Sequence, residues 1–220
     1  MTQIEFKNVC KRFSEKRVAL YDVNFKVKKG DFVFLVGKTG AGKTTVLRHI
    51  YMELFPDEGD VLWEGISTRK MRKSEILKVR RKMGIIFQDL KLLLNRTVSE
   101  NIEFVLRLSG EKEVKPRIWQ VLHNVGIVGE AQVIAGELSR GELQRLAVAR
   151  AIVTSPEILL ADEPFGNINK DDAIEILKIL MNFNSSGSTV IIATHNVELL
   201  GEVKKKRVIE IDEGRIINEY

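Results

Sequence analysis

The sequence predicts an α/β fold in which a core of buried strands is interrupted by a helical lobe, and three observations carry that prediction. Short unbroken apolar runs of buried-strand length recur at Phe32–Val36, 84–87, 157–161 and 189–193. Helical periodicity is concentrated in one block, residues 90–156, between the second run and the third. The first run passes through a glycine-rich loop directly into a helical pattern (Val46, Leu47, Ile50), the strand–loop–helix order of an α/β unit.

Taken in order, Ile4, Phe6 and Val9 begin a strand expected at a sheet edge, and Val23, Phe25 and Val27 alternate in the same way. Phe13 falls in the loop expected between these strands, and Lys29, Gly30 and Asp31 form a turn into the first buried run. After the glycine loop and its helix, Pro56, Asp57, Glu58 and Gly59 read as a turn before a short strand at 60–64. Residues 69–82 are strongly basic with helical spacing, as on a solvated helix face, and the run at 84–87 ends on Gln88. In the helical block, Thr97 with Glu100 forms a capping box ahead of Ile102, Val105, Leu106 and Leu108. A second helical pattern covers 114–125, and Ser139 with Glu142 forms another capping box that opens 143–153. The core resumes with strand 157–161, helix 171–183 and strand 189–193. A helix near Val197 and a hairpin of 208–211 with 215–217, turning at Asp212, Glu213 and Gly214, close the chain. No repeat, low-complexity tract or linker separates these parts. One domain of two lobes is expected, a core lobe of about 1–88 and 157–220 and a helical lobe of about 89–156.

The glycine loop carries the first chemistry. Residues 37–44 read GKTGAGKT, a G-x-x-x-x-G-K-T string in the strand-to-helix context that makes it a phosphate cradle. Gly37, Gly40 and Gly42 let the backbone wind tightly, so that N–H groups from Lys38, Thr39 and Ala41 through Thr45 turn inward on an anion. The following helix aims the positive end of its dipole at the same point. Lys43 supplies a mobile charge for the β- and γ-phosphates and Thr44 a hydroxyl for Mg2+, so a nucleoside triphosphate is the expected ligand.

Residues 158–163, ILLADE, form an apolar strand that delivers two adjacent carboxylates, the Walker B pattern. Asp162 is suited to hold Mg2+ through water, and Glu163 to orient and polarise the water that attacks the γ-phosphate. His195 directly follows TVIIAT and opens onto the same sheet edge, where an imidazole can donate to a γ-phosphate oxygen. Gln88, at the end of its own strand, can position water or ligate Mg2+, and the Phe13 ring can stack on a purine base.

Hydrophobic content of 44% and charged content of 30% describe an ordinary soluble globular chain. A net charge of +5 is mild and fits a solvated lysine-rich surface better than a dedicated site for an anionic membrane surface or nucleic acid. The one cysteine, Cys10, excludes an internal disulfide and fits a reducing compartment. No apolar run approaches the ~20 residues that span a bilayer, and MTQIEFKNV lacks the apolar stretch of a signal peptide. A cytoplasmic protein is expected, held at a membrane only by a partner.

Taken in order, 37–44, Gln88, the run Leu138-Ser139-Arg140-Gly141-Glu142, Asp162 with Glu163, and His195 resemble the nucleotide-binding subunit of ABC transporters. The resemblance covers essentially the whole chain, and the LS-x-G-E segment is what separates ABC ATPases from other P-loop proteins. It implies a P-loop NTPase (RecA-like) core with an antiparallel β subdomain and an inserted α-helical subdomain. It also implies ATP and Mg2+ as ligands, and ATP hydrolysis. An ATP-dependent head-to-tail homodimer follows from the same resemblance: Ser139, Arg140, Gly141 and Glu142 of one copy complete the ATP site of the other, and Phe13 matches the base-stacking position.

Residues 87–104, 149–169 and 207–216 are similar to the cell-division branch of the family. That branch implies an integral membrane partner of the FtsX type, a place on the cytoplasmic side of the cell membrane, and signalling to cell-wall hydrolases. Branches that drive lipoprotein release and macrolide export are the alternatives, as is an ATP-dependent recruitment module with little turnover. The helical block is too short for the coiled-coil arm of DNA-repair or chromosome-structuring relatives.

Three positions depart from the family pattern. Arg140 stands where glycine is usual; it is costly if the backbone needs a positive φ, and otherwise adds a cation for phosphate or partner. Asn169 replaces an aspartate, and Phe165 a threonine or serine. Leu90, Leu92, Leu93 and Leu94 follow Gln88 closely, where the family has the groove for its membrane subunit. Individual leucines are expected in the core and the segment as a whole at a docking surface.

Overall fold

Alternating apolar residues over the first 28 positions build a long antiparallel hairpin, β1 (Thr2–Ser14) with β2 (Arg17–Lys28). The structure, a computed structural model, describes residues 1–14 and 17–220. β3 (Phe32–Val36) runs into α1 (Lys43–Ile50), followed by β4 (Glu58–Trp63), β5 (Ile66–Ser67), α2 (Lys73–Arg80) and β6 (Met83–Ile86). Three helices come next: α3 (Val98–Ser109), α4 (Val114–Asn124) and α5 (Arg140–Ile152). The chain ends with β7 (Ile158–Asp162), α6 (Lys170–Ser185), β8 (Thr189–Thr194), β9 (Arg207–Asp212) and β10 (Arg215–Glu219).

The strands form two sheets. An antiparallel sheet has the order β2-β1-β4-β5, and a six-stranded sheet has the order β10-β9-β3-β8-β7-β6. The pairings among β9, β3, β8, β7 and β6 are all parallel; β10 alone is antiparallel. β3 lies at the middle, and its alternation divides the core. Phe32, Phe34 and Val36 pack toward the helices α3 to α6, while Val33 and Leu35 pack with α1 and the antiparallel sheet. Burying both faces of such a strand contributes roughly 1.5–3 kcal/mol per large side chain, which pins the glycine loop that follows it. α1 sits between the two sheets, its Val46, Leu47 and Ile50 in the second cluster.

Several local expectations change in three dimensions. β1 is not an edge strand: Ile4 lies opposite Val27 on one side and Trp63 on the other. Phe13 belongs to β1 rather than to a loop, because pairing continues to Ser14. β4 starts at Glu58, inside the expected turn, with Gly59 at φ +76° pressed against the Lys7 and Asn8 carbonyls. The basic stretch is helical only as α2, preceded by a short 3₁₀ turn at Thr68–Lys70. β6 ends two residues before Gln88, and the helix near Val197 is a 3₁₀ segment, Glu198–Glu202. Both capping boxes form: Thr97 accepts from Glu100 N–H, and Ser139 from Glu142 N–H. The closing turn is the pair Glu213 and Gly214, both at positive φ as a two-residue hairpin requires.

Candidate active site

The C-terminal ends of the parallel strands β3, β7 and β8, with the hairpin β1–β2, surround a cleft of about 760 Å³. Its floor is the glycine loop. Gly37, at φ +152°, passes so close to β9 that a Cβ would sit 2.1 Å from the Ile211 carbonyl oxygen. Gly42 is the N-cap of α1 at φ +114°, has no side chain to cap the helix, and leaves room for none, since a Cβ would fall 2.7 Å from the Ala19 carbonyl oxygen. No acidic residue occupies the first turn of α1. Uncapped N–H groups therefore present a positive end to the cleft.

Lys43 is only 5% exposed, yet among the described residues no carboxylate lies within hydrogen-bond distance of it. Its Nζ donates to the carbonyls of Gly37 at 2.7 Å and Lys38 at 3.1 Å, and stands 3.6 Å from Glu163 Oε1. The loop thus closes on its own ammonium, the arrangement expected of a cradle whose counter-anion arrives from outside. Beside it, the Thr44 hydroxyl donates to Asp162 Oδ1 at 3.1 Å. Burial pushes the Asp162 carboxyl above the usual aspartate value, against the lowering effect of Thr44. A hydroxyl and a buried carboxylate facing each other, with no cation in contact among the described residues, suit a hard divalent ion.

Glu163 sits in a left-handed conformation, φ +48°, rare for a residue that is neither glycine, asparagine nor aspartate. Its own N–H to the Ala193 carbonyl and the Gly166 N–H to the Glu163 carbonyl hold it there. The carboxylate has one oxygen 3.0 Å from His195 Nδ1, and the other accepts from the Thr194 hydroxyl at 3.1 Å. Neighbouring strand ends therefore bring Glu163, His195 and Lys43 to one point.

Of the residues expected at the site, Thr39, Gly40, Gly42, Lys43, Thr44 and Thr45 line the cleft from the loop side. Phe13, Gln88, Glu163 and His195 line it from the other walls, and Asp162 reaches it through Thr44. Gly37, Lys38 and Ala41 lie behind this lining in the loop. Ser139, Gly141 and Glu142 do not line this cleft, although Arg140 does. Ser139 caps α5, and its hydroxyl and N–H hold the Glu142 carboxyl below the usual glutamate value. Gly141 faces α6 closely: a Cβ would meet the Asp172 carboxylate at 2.7 Å.

The structure also explains the three departures. Arg140 is the first residue of α5 and has no positive φ, so arginine is not strained there. Asn169 is the N-cap of α6, accepting from Asp172 N–H at 2.8 Å and donating to the Asp172 carboxylate. Phe165 is buried in the helical core cluster as well as bordering the cleft. Sequence reasoning missed Val18 and Ala19 of β2, Gln144 of α5, and Asn167 as cleft residues. Asn167 follows the Walker B turn and could have been found by extending it; the others come from strand pairing and helix placement, which carry no local signal.

Comparison with known proteins fits this geometry. Residues 20–166 match the ABC transporter family. The cell-division ATP-binding protein FtsE of Streptococcus pneumoniae is 39% identical over 221 aligned residues, covering 100% of this chain and 96% of that protein. FtsE of Bacillus subtilis is 40% identical, covering 98% of this chain and 95% of its own, and FtsE of Escherichia coli is 36% identical, with 97% and 96% covered. Among solved structures, a dimeric bacterial ABC transporter cassette superposes with a TM-score of 0.90 at 32% identity, with 99% and 97% of the two chains covered. A dimeric post-hydrolysis ATP-binding cassette bound to ADP and Pi gives 0.89 at 31% identity, with the same coverage.

Proposed function

The chain belongs to the ABC transporter family, in the group of the cell-division ATP-binding protein FtsE, and from this we propose that it binds Mg-ATP in the cleft and hydrolyses it. The observation that carries the reading is the convergence on Glu163, which meets Lys43 and His195 beside the Thr44–Asp162 pair. In this reading the N–H groups of 38–45 and the Lys43 ammonium bind the phosphates, and Phe13 stacks on the base. Glu163 orients and polarises the attacking water, and His195 donates to a phosphate oxygen. Thr44 and Asp162, with Gln88 on the cleft wall, are the residues that would hold Mg2+, which neutralises charge on the phosphate oxygens when bound.

Ser139, Gly141 and Glu142 lie outside their own cleft at a helix N-terminus, which supports a head-to-tail homodimer whose second copy receives them. The relatives' names support a cell-division role, and we assign the chain to an FtsE–FtsX-type complex. There a single ABC ATPase domain, its helical lobe spanning about 89–156, couples dimer closure to an integral membrane partner that regulates cell-wall hydrolysis. Among the described residues no helix is long and apolar enough to cross a membrane, so the place at the cytoplasmic face comes through that partner. Leu90 and Leu92 pack on the core while Leu93 and Leu94 are 38% and 54% exposed, which supports a docking surface in the segment after Gln88.

The test is Mg2+-dependent phosphate release by the purified chain, with light scattering of Glu163→Gln in ATP and capture of membrane proteins on that variant. Dimeric Glu163→Gln and retention of an FtsX-type protein are expected. A wild-type chain that releases no phosphate with Mg-ATP, and a variant that stays monomeric, overturn the reading.

A further inference from the structure

Among the described residues β2 pairs with β1 alone, so its other edge is open to a different partner. That partner is the closing hairpin. The Tyr21 N–H donates to the Gly214 carbonyl at 2.8 Å, and the Gly214 N–H donates to the Ala41 carbonyl at 2.9 Å. One residue of the turn thus joins, through its two backbone groups, the strand that supplies Val18 and Ala19 to the cleft and the glycine loop that forms its floor.

The approach is as close as backbone allows. Gly214 lies at φ +77°, and a Cβ there would fall 2.8 Å from the Ala19 carbonyl oxygen and 3.1 Å from the Leu20 Cα. Gly42 of the loop presses on the same carbonyl oxygen, 2.7 Å from where its own Cβ would stand. Neither position has space for a side chain, because what it meets is main chain and cannot swing aside. Next along the hairpin, the Arg215 guanidinium carbon lies 3.6 Å from the centre of the Tyr21 ring, a cation–π contact that adds to the hold on β2.

Strand and loop depend on this turn unequally. The loop is also fixed by β3, paired on both sides, and by Lys43, which donates to the Gly37 and Lys38 carbonyls. Residues 18–21 have the turn as their hold on the outer edge of β2. Loosening the turn therefore shifts the β2 wall while the phosphate loop keeps its shape.

The geometry points to Gly214 as a positioning residue that sets the gap between the β2 wall and the phosphate loop. Through that gap it sets how much the nucleoside adds to the binding that the triphosphate alone provides. The inference rests on the reading of the cleft as an Mg-ATP site, and adds to it a residue that does not line the cleft.

Titration calorimetry with Mg-ATP and with Mg-tripolyphosphate tests it on wild type, Gly214→Ala and Arg215→Ala, alongside phosphate release from ATP. Wild type is expected to bind ATP more tightly than tripolyphosphate. Gly214→Ala weakens ATP about tenfold, the scale of a lost base contact, and tripolyphosphate less than about twofold. KM for ATP rises in step while kcat stays within about twofold. Arg215 is exposed and its alanine variant adds no atom to the turn, so it serves even where Gly214→Ala fails to fold. Its loss is in the same direction, about threefold for ATP alone. Equal weakening of both ligands overturns the inference and makes the turn a support of the loop's fold. So do variants that bind both ligands as wild type does, and a wild type that binds tripolyphosphate as tightly as ATP. A wild type that binds neither ligand overturns the nucleotide reading itself.

Discussion

Replacing Glu163 by glutamine removes one charge at nearly constant shape. The Thr194 hydroxyl at 3.1 Å and the His195 N–H at 3.4 Å still find an acceptor, so the main loss to the fold is the attraction to Lys43 at 3.6 Å. Breaking a fully buried ion pair costs about 3–5 kcal/mol. Here Lys43 keeps two carbonyl acceptors at 2.7 and 3.1 Å and Glu163 borders an open cleft, so the loss of stability is expected near 1 kcal/mol. Turnover responds on another scale. Loss of a positioned base costs ~10²–10⁴-fold, or about 3–5 kcal/mol of barrier. The two effects separate in one experiment that measures phosphate release at saturating Mg-ATP, Mg-ATP affinity and Tm on the same preparation. The variant is expected to bind ATP, melt within a few degrees of wild type, and release phosphate at least ~100-fold more slowly. Turnover within about twofold of wild type would refute the role given to Glu163. A slow variant whose Tm collapses in parallel would instead make Glu163 a structural member of the Lys43–His195 cluster.

Lys43→Ala is expected to raise the Mg-ATP dissociation constant about 10–100-fold, the value of one charge-assisted bond, as read by titration calorimetry; an unchanged constant contradicts the cradle. Gly37→Ala places a Cβ 2.1 Å from the Ile211 carbonyl oxygen at φ +152°, and should lower stability by at least ~2 kcal/mol, seen as a lower urea midpoint. A midpoint equal to wild type would mean that β9 moves aside freely. His49 is buried, with Nδ1 2.7 Å from the Thr45 carbonyl, no partner for Nε2 among the described residues, the Phe6 ring alongside, and Lys11, Arg48 and Asp57 as the charges acting on it. Burial lowers its pKa below the ordinary 6.5, so the unfolded chain takes up this proton first as pH falls. Its contribution is fully present above pH 6.5 and declines below it as pH falls toward the folded value. The stability difference between wild type and His49→Gln, read from urea midpoints, should therefore be largest above pH 7 and shrink as pH falls below 6.5; a constant difference between the two proteins rules out this linkage.

What the sequence determined by itself is what neighbouring residues decide among themselves. The glycine loop, the adjacent carboxylates of β7 and the two capping boxes depend on backbone geometry and hydrogen bonds within a few positions, and each formed where its residue types required. Strand existence was legible for the same reason, since alternation reports burial. Alternation does not report the neighbour, so β1 could be read as a strand but not as an interior one flanked by β2 and β4. The departures at Arg140, Phe165 and Asn169 were visible as residue types, but only their places at a helix start, in the core and at a helix cap show why each is accommodated. Tertiary structure alone closed the distance of 118 residues between Thr44 and Asp162, and of 60 between Arg150 and Leu90. Such contacts depend on sheet order and on where a helix comes to rest, and both are set by the packing of the whole core against β3 rather than by any short stretch of chain.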